Sequence, residues 1–193
     1  MAFNESKIKR DGDGKFATQG GSTPAEEKRA AELLGVSRKE LVLTLKAVAD
    51  KRDGSESKQI VSVNLDTDLQ KKLNGATPNE QRRIVFDYIM ENMRGKYPAQ
   101  DGREIIISRK SADKYVQNAT EIKLRTAPEL GDMIAAGNLV NIVNADHKTF
   151  KQFAYYSVSF EVGDRIYDGL LNVGIHENGV AALYDLNPFN PRK

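Results

Sequence analysis

The chain has 193 residues, of which 39% are hydrophobic. That is enough to build a core and too much for global disorder, while the absence of cysteine excludes a disulfide framework, a thiolate metal site and a cysteine nucleophile. The formal net charge of +2 falls short of the basic stripe of a dedicated duplex-DNA binder, and two histidines leave few options for an imidazole metal site.

No stretch approaches the roughly 20 apolar residues of a membrane helix. Met1 to Arg10 has basic residues but no apolar run behind them, so no signal peptide is expected. These readings point to an intracellular-type protein with no membrane partner.

Residues 1–22 are rich in Gly, Asp, Ser and Lys and read as a polar tail. A first helix is expected from Thr23 and Pro24, with Glu26 completing a capping box, ending at Gly35. A second follows Ser37, with Leu41, Leu45 and Val48 on one face. Residues 51–58 are charged and contain glycine, as a linker does. The division expected is a tail (1–22), a helical segment with its linker (23–58) and a main domain (59–193).

Within that domain, residues 59–65 alternate as a strand, with Val61, Val63 and Leu65 on one side. Thr77, Pro78 and Glu80 open a helix reaching about Met93, with Gly95 as its stop. Arg103 to Ile107 is a short strand, Ser111 to Val116 a short helix, and Thr126 with Pro128 opens another. The last forty residues form the clearest sheet. Tyr156, Val158, Phe160 and Val162 alternate with polar residues, Gly163 and Asp164 turn, and Ile166 to Ile175 is a second strand. Asn178 and Gly179 then turn into a third strand from Val180 to Leu186. The fold class expected is α+β, with helices on one face of a C-terminal antiparallel meander.

RNA cleavage without a metal needs a group to take the 2′-hydroxyl proton, one to protonate the leaving oxygen, and a cation to steady the phosphorane. Candidates fall in three places: Ser108, Arg109 and Lys110 at a strand end; His147, Lys148 and Lys151 before the meander; and Tyr155, Ser157, Arg165, His176 and Tyr184 along the meander. Each also has a plain structural reading. His147 follows Asn144, Ala145 and Asp146 and fits a loop or cap, His176 sits beside a turn, and Tyr155, Ser157 and Tyr184 suit an ordinary sheet surface.

Two stretches, Ile105–Ser111 (IIISRKS) and Ala182–Asn187 (ALYDLN), resemble the phage-associated branch of the barnase/EndoU/colicin/RelE-like (BECR) nuclease superfamily. Its members occur as modules of phage head-morphogenesis and large polyvalent proteins. Arg10–Ala17 (RDGDGKFA) is similar to a tail segment of phage structural proteins. The resemblance covers about residues 59–189. It implies helices on one sheet face and an RNA cleft, tRNA included, on the other. It also implies a metal-independent ribonuclease without cofactor, acting as a toxin with an immunity-protein partner or delivered with phage DNA. The host cytoplasm or the virion would be its location. Lys148 and Tyr184 lie where such domains place polar site residues, with His147 the imidazole beside them; Arg109 joins them as the cation. The catalytic set expected is therefore His147, Lys148, Tyr184 and Arg109, with Ser108, Lys110, Lys151, Tyr155, Ser157 and Arg165 binding substrate.

No His–Arg–Glu set stands at matched positions. This keeps open a second reading, a non-catalytic, phage-encoded protein-binding or virion-associated domain. A third, a DNA-binding regulator using residues 23–50, needs a dimer and a basic helix face.

Overall fold

The structure, a computed structural model, describes residues 59–191. The expected tail, the two helices between residues 23 and 50, and the linker lie outside the described residues.

A short strand, β1 (Ile60–Val63), buries Val61 and Val63 and leaves Ile60 and Ser62 exposed, as its alternation requires. Helix α1 (Asp68–Leu73) follows, capped by the Thr67 side chain accepting from the Gln70 amide. Helix α2 (Pro78–Tyr88) begins at the expected proline. The Glu80 carboxylate reaches back to accept from the Thr77 amide (2.8 Å) and hydroxyl (2.6 Å). These bonds hold Glu80 below the usual carboxylate pKa. A π-helical turn, Ile89–Met93, carries α2 on to the expected stop.

Strands β2 (Gly95–Pro98) and β3 (Glu104–Ile107) form an antiparallel hairpin. Then come α3 (Arg109–Val116), α4 (Glu121–Arg125), a 3-10 turn (Ala127–Glu129) and α5 (Leu130–Ala136). Strands β4 (Asn138–Asn144), β5 (Gln152–Val162), β6 (Arg165–Ile175) and β7 (Ala181–Pro191) complete the fold.

The three long strands pair in sequence as an antiparallel meander. The sheet around them is larger than the meander alone. Its order is β1-β5-β6-β7-β3-β2, with β4 also paired to β5. Two of the pairings, β1 with β5 and β3 with β7, are parallel. Parallel neighbours need a crossover, and the helical stretch between β1 and β5 supplies it. Strand β4 takes the first half of the outer edge of β5, and β1 takes the second half.

Alternate residues of β5 (Ala154, Tyr156, Val158, Phe160, Val162) join the main core with Leu124, Leu130, Met133 and Ile134 from the helices. The helices therefore cover one sheet face. The other face carries a second cluster of Val143, Phe150, Phe153, Tyr155 and Leu170. At the far edge, the Tyr156 hydroxyl donates to Asp101 (2.9 Å) and accepts from Arg103 (3.3 Å), which ties the β2–β3 loop across the core. Burial is the main force pushing that phenol up to about 12.

The two meander turns differ. Val162 pairs directly with Arg165, so Gly163 and Asp164 form a two-residue loop with positive φ at the glycine alone. Asn178 and Gly179 do not make the tight turn expected of an Asn-Gly pair. Only Gly179 has positive φ, the Gly179 amide donates to the His176 carbonyl (3.0 Å), and the His176 amide donates to Val180 (2.8 Å). The result is a three-residue loop with the glycine as its left-handed closing residue. It sets His176 at the mouth of the cavity described next.

Candidate functional site

A cavity of about 390 Å³ opens where α3, the β4–β5 loop and the β6–β7 turn meet. The helix side is lined by Ser108, Lys110, Ser111, Asp113, Lys114 and Gln117. The sheet side contributes His147, Thr149, Phe150, His176 and Tyr184.

The helix wall follows from the start of α3. Ser108 is its N-cap: the Ser108 hydroxyl accepts from the Ser111 amide (3.3 Å) and the Ser111 hydroxyl accepts from the Ser108 amide (3.1 Å). The helix thus begins two residues before the expected Ser111. Lys110, Lys114 and Gln117 then fall at i, i+4 and i+7 on one face.

The sheet wall is aromatic. His147 stacks on Phe150 (centroids 5.1 Å apart, planes at 21°) and meets Tyr184 edge-on at 5.9 Å. Phe150 also packs on His176 at 4.8 Å and on Tyr184 at 5.7 Å. Phe150 fits because β6 has glycine beneath it. A Cβ on Gly174 would lie 2.5 to 2.6 Å from three Phe150 ring carbons. Gly174→Ala is therefore expected to lose about 1–3 kcal/mol and to shift the His147 ring stacked on Phe150. A denaturant melt and the His147 ring chemical shifts check both effects.

The hydrogen bonds of His147 define its state. Its Nδ1 accepts from the Thr149 amide (3.1 Å) and the Phe150 amide (3.3 Å). The neutral ring must then carry its proton on Nε2, a donor. Burial, and secondarily the Lys114 charge, hold the imidazole below its ordinary pKa. A protonated Nδ1 would also collide with the two amides it now serves. Because the folded value lies below the unfolded one, the stability His147 contributes is present above about pH 6.5 and lost as the pH falls through its folded value.

Below Tyr184, Lys123 and Asp185 form a buried ion pair, their side chains 7% and 17% exposed. Burial pulls the Lys123 ammonium below its ordinary pKa and pushes the Asp185 carboxyl above its own, each partner opposing the shift. Tyr115 supports the lysine: its ring lies 5.0 Å from Lys123 Nζ, and its hydroxyl donates to the Lys123 carbonyl (2.5 Å). Burial raises the Tyr115 phenol.

Of the residues expected to act, the cavity gathers His147, Tyr184, Ser108 and Lys110. Arg109 turns away, its guanidinium 5.8 Å from the Phe86 ring centre on α2. Lys148 is exposed in the loop beside His147. Lys151 approaches Glu177 (3.8 Å) in an exposed pair, which contributes little. Tyr155 and Ser157 lie on the sheet face away from the helices and are buried. Arg165 stands at the opposite end of β6 from His176, about 36 Å away at strand rise.

Lys114, Gln117 and Phe150 were not singled out in the sequence. Lys114 and Gln117 were open to detection: starting the helix at a Ser108 cap places both on the Lys110 stripe. Phe150 was not, because nothing local shows that it packs over Gly174.

The fold and cavity define an α+β domain with a polar, aromatic-walled pocket at one end of its sheet. A family model for large polyvalent protein-associated domain 3 matches residues 76–184, more than half of the chain and every element that lines the cavity. The chain belongs to that family, and is a domain of the kind associated with large polyvalent phage proteins. No curated protein and no solved structure matches it. Among the described residues, no helix is long and apolar enough to cross a membrane.

Proposed function

We propose that this domain cleaves RNA without a metal ion, at the cavity between α3 and the β6–β7 turn. One observation carries the reading: the chain has two histidines, and both line that cavity, together with Tyr184. In the proposed reaction His176 takes the 2′-hydroxyl proton and the freed oxygen attacks the adjacent phosphorus. The bond to the 5′-oxygen breaks, and that oxygen takes a proton from the Tyr184 hydroxyl; solvent then carries the proton held by His176 back to Tyr184, which restores both groups. The products are a 2′,3′-cyclic phosphate and a 5′-hydroxyl. His147, neutral with its proton on Nε2, donates a hydrogen bond to a non-bridging phosphoryl oxygen, the electrophilic role a neutral imidazole can fill. Arg109 and Lys148 have no part in this version of the site.

The test is incubation of the purified full chain with a broad RNA panel, tRNA included, in EDTA. Fragments ending in a 2′,3′-cyclic phosphate are the expected result. Intact RNA at high protein concentration sinks the reading. Retained RNA binding in that case would favour the non-catalytic module.

A further inference from the structure

We propose that Lys114 is the anion-binding residue of the cavity, seating a nucleotide phosphate between its ammonium and the Nε2–H of His147. The inference rests on the ribonuclease reading for its ligand class and deepens it by naming the cation that the reaction needs.

The position of Lys114 argues for this. Its Nζ lies 5.0 Å from the Tyr184 ring centre, on the cavity side of α3, and donates to Gln117 Oε1 at 3.2 Å. Among the described residues no carboxylate lies within ion-pair distance of it. The other lysine deep in this region, Lys123, is already committed to Asp185. The charge of Lys114 is nonetheless felt by groups on three elements: it disfavours the charged forms of His147 and Lys123 and favours that of Asp185. His147 supplies the second contact, because Nδ1 is held by two amides and the remaining nitrogen is a donor. Two donors lining one cavity, one of them charged, suit a phosphate oxygen. The neighbouring aromatic rings suit the attached base, which stacks without sequence preference. Lys110 adds positive charge at the rim, and Asp113 opposes it.

The experiment is calorimetric titration of the full chain with uridine 3′-monophosphate, uridine and inorganic phosphate, on wild type, Lys114→Gln and Lys114→Arg. His147 is followed by its ring resonances. The mononucleotide should bind more tightly than uridine. Lys114→Gln should erase about ten- to a hundredfold of its affinity with little change in melting temperature, and Lys114→Arg should retain most of it. The His147 titration should move up toward its ordinary value both in Lys114→Gln and when the mononucleotide binds, since each removes or offsets one positive charge. Equal affinity for uridine and its phosphate, or a Lys114→Gln variant that binds the mononucleotide as wild type does, overturns the proposal. Lys114→Gln cutting RNA at the wild-type rate overturns it too while leaving the ribonuclease reading standing. Phosphate binding through Lys114 with no RNA cleavage does the reverse.

Discussion

Replacing Lys123 by methionine is expected to destabilise the fold by about 3–5 kcal/mol, the range for removing one partner of a buried ion pair. The loss comes from what remains. The Asp185 carboxylate keeps the Leu186 amide as a donor (2.9 Å) but no longer has a cation. Burial already raises its pKa with Lys123 in place, and removing that charge raises it further. A carboxyl whose folded pKa lies above its unfolded one binds more protons when folded, so stability falls as the pH rises through the window between them. The deficit of Lys123→Met against wild type should therefore be smaller near pH 4, about the ordinary carboxylate pKa, than near pH 8. Lys123→Met combined with Asp185→Leu removes both charges and should recover much of the loss. Urea denaturation of wild type, Lys123→Met, Asp185→Leu and the double variant at the two pH values measures this. A double variant as unstable as the single one would mean that the site needs its charges for more than their mutual compensation.

The Lys123–Asp185 pair also shows where the sequence stopped being informative. The meander was legible because β5 alternates strongly and glycines mark the turns after β5 and β6, and α2 was legible from its proline and glutamate. Strand β4 (Asn138–Asn144) was missed. Leu139, Val140, Ile142 and Val143 do not alternate cleanly, and the pairing with β5 contains a register shift between Leu139 and Asn141. Strand β7 runs past its expected end at Leu186, through Pro188 to Pro191. Strand β3 pairs with β7 only at Ala181 and Ala182, so among the described residues the rest of that edge has no strand partner and tolerates prolines. For the site, local sequence placed His147 beside the meander, but the convergence of α3 on it depends on the parallel pairing of β3 with β7. That contact joins residues about 76 apart and leaves no periodic trace. Arg109 shows the limit plainly. It lies between two cavity-lining residues, and one helical step of about 100° carries its side chain to α2 instead.

His176→Gln is expected to lower RNA cleavage by about 10²–10⁴-fold, the range for a general base, with a melting curve close to wild type. The side chain sits at the end of a turn that is closed by backbone bonds and by Gly179. His147 needs a subtler substitution, since its Nδ1 also holds the 147–150 loop. His147→Asn keeps an acceptor at the Nδ1 position, where a short polar side chain commonly closes such a turn, and removes only the Nε2–H. It should lower the turnover by about 10²–10³-fold, the effect of deleting one donor to a developing oxyanion, while most of the stability remains. His147→Ala should lose both the donor and the loop cap, a further cost of about 1 kcal/mol in stability. The pH profile separates the roles. Protonation of His147 breaks the two amide contacts, so wild-type activity should fall on the acid side as His147 titrates below its ordinary value. In His147→Asn the part of the acid limb that belongs to His147 should disappear. If His147→Asn cleaves RNA at the wild-type rate with an unchanged acid limb, His147 only holds the loop, and the phosphoryl donor must be sought elsewhere on the α3 side of the cavity.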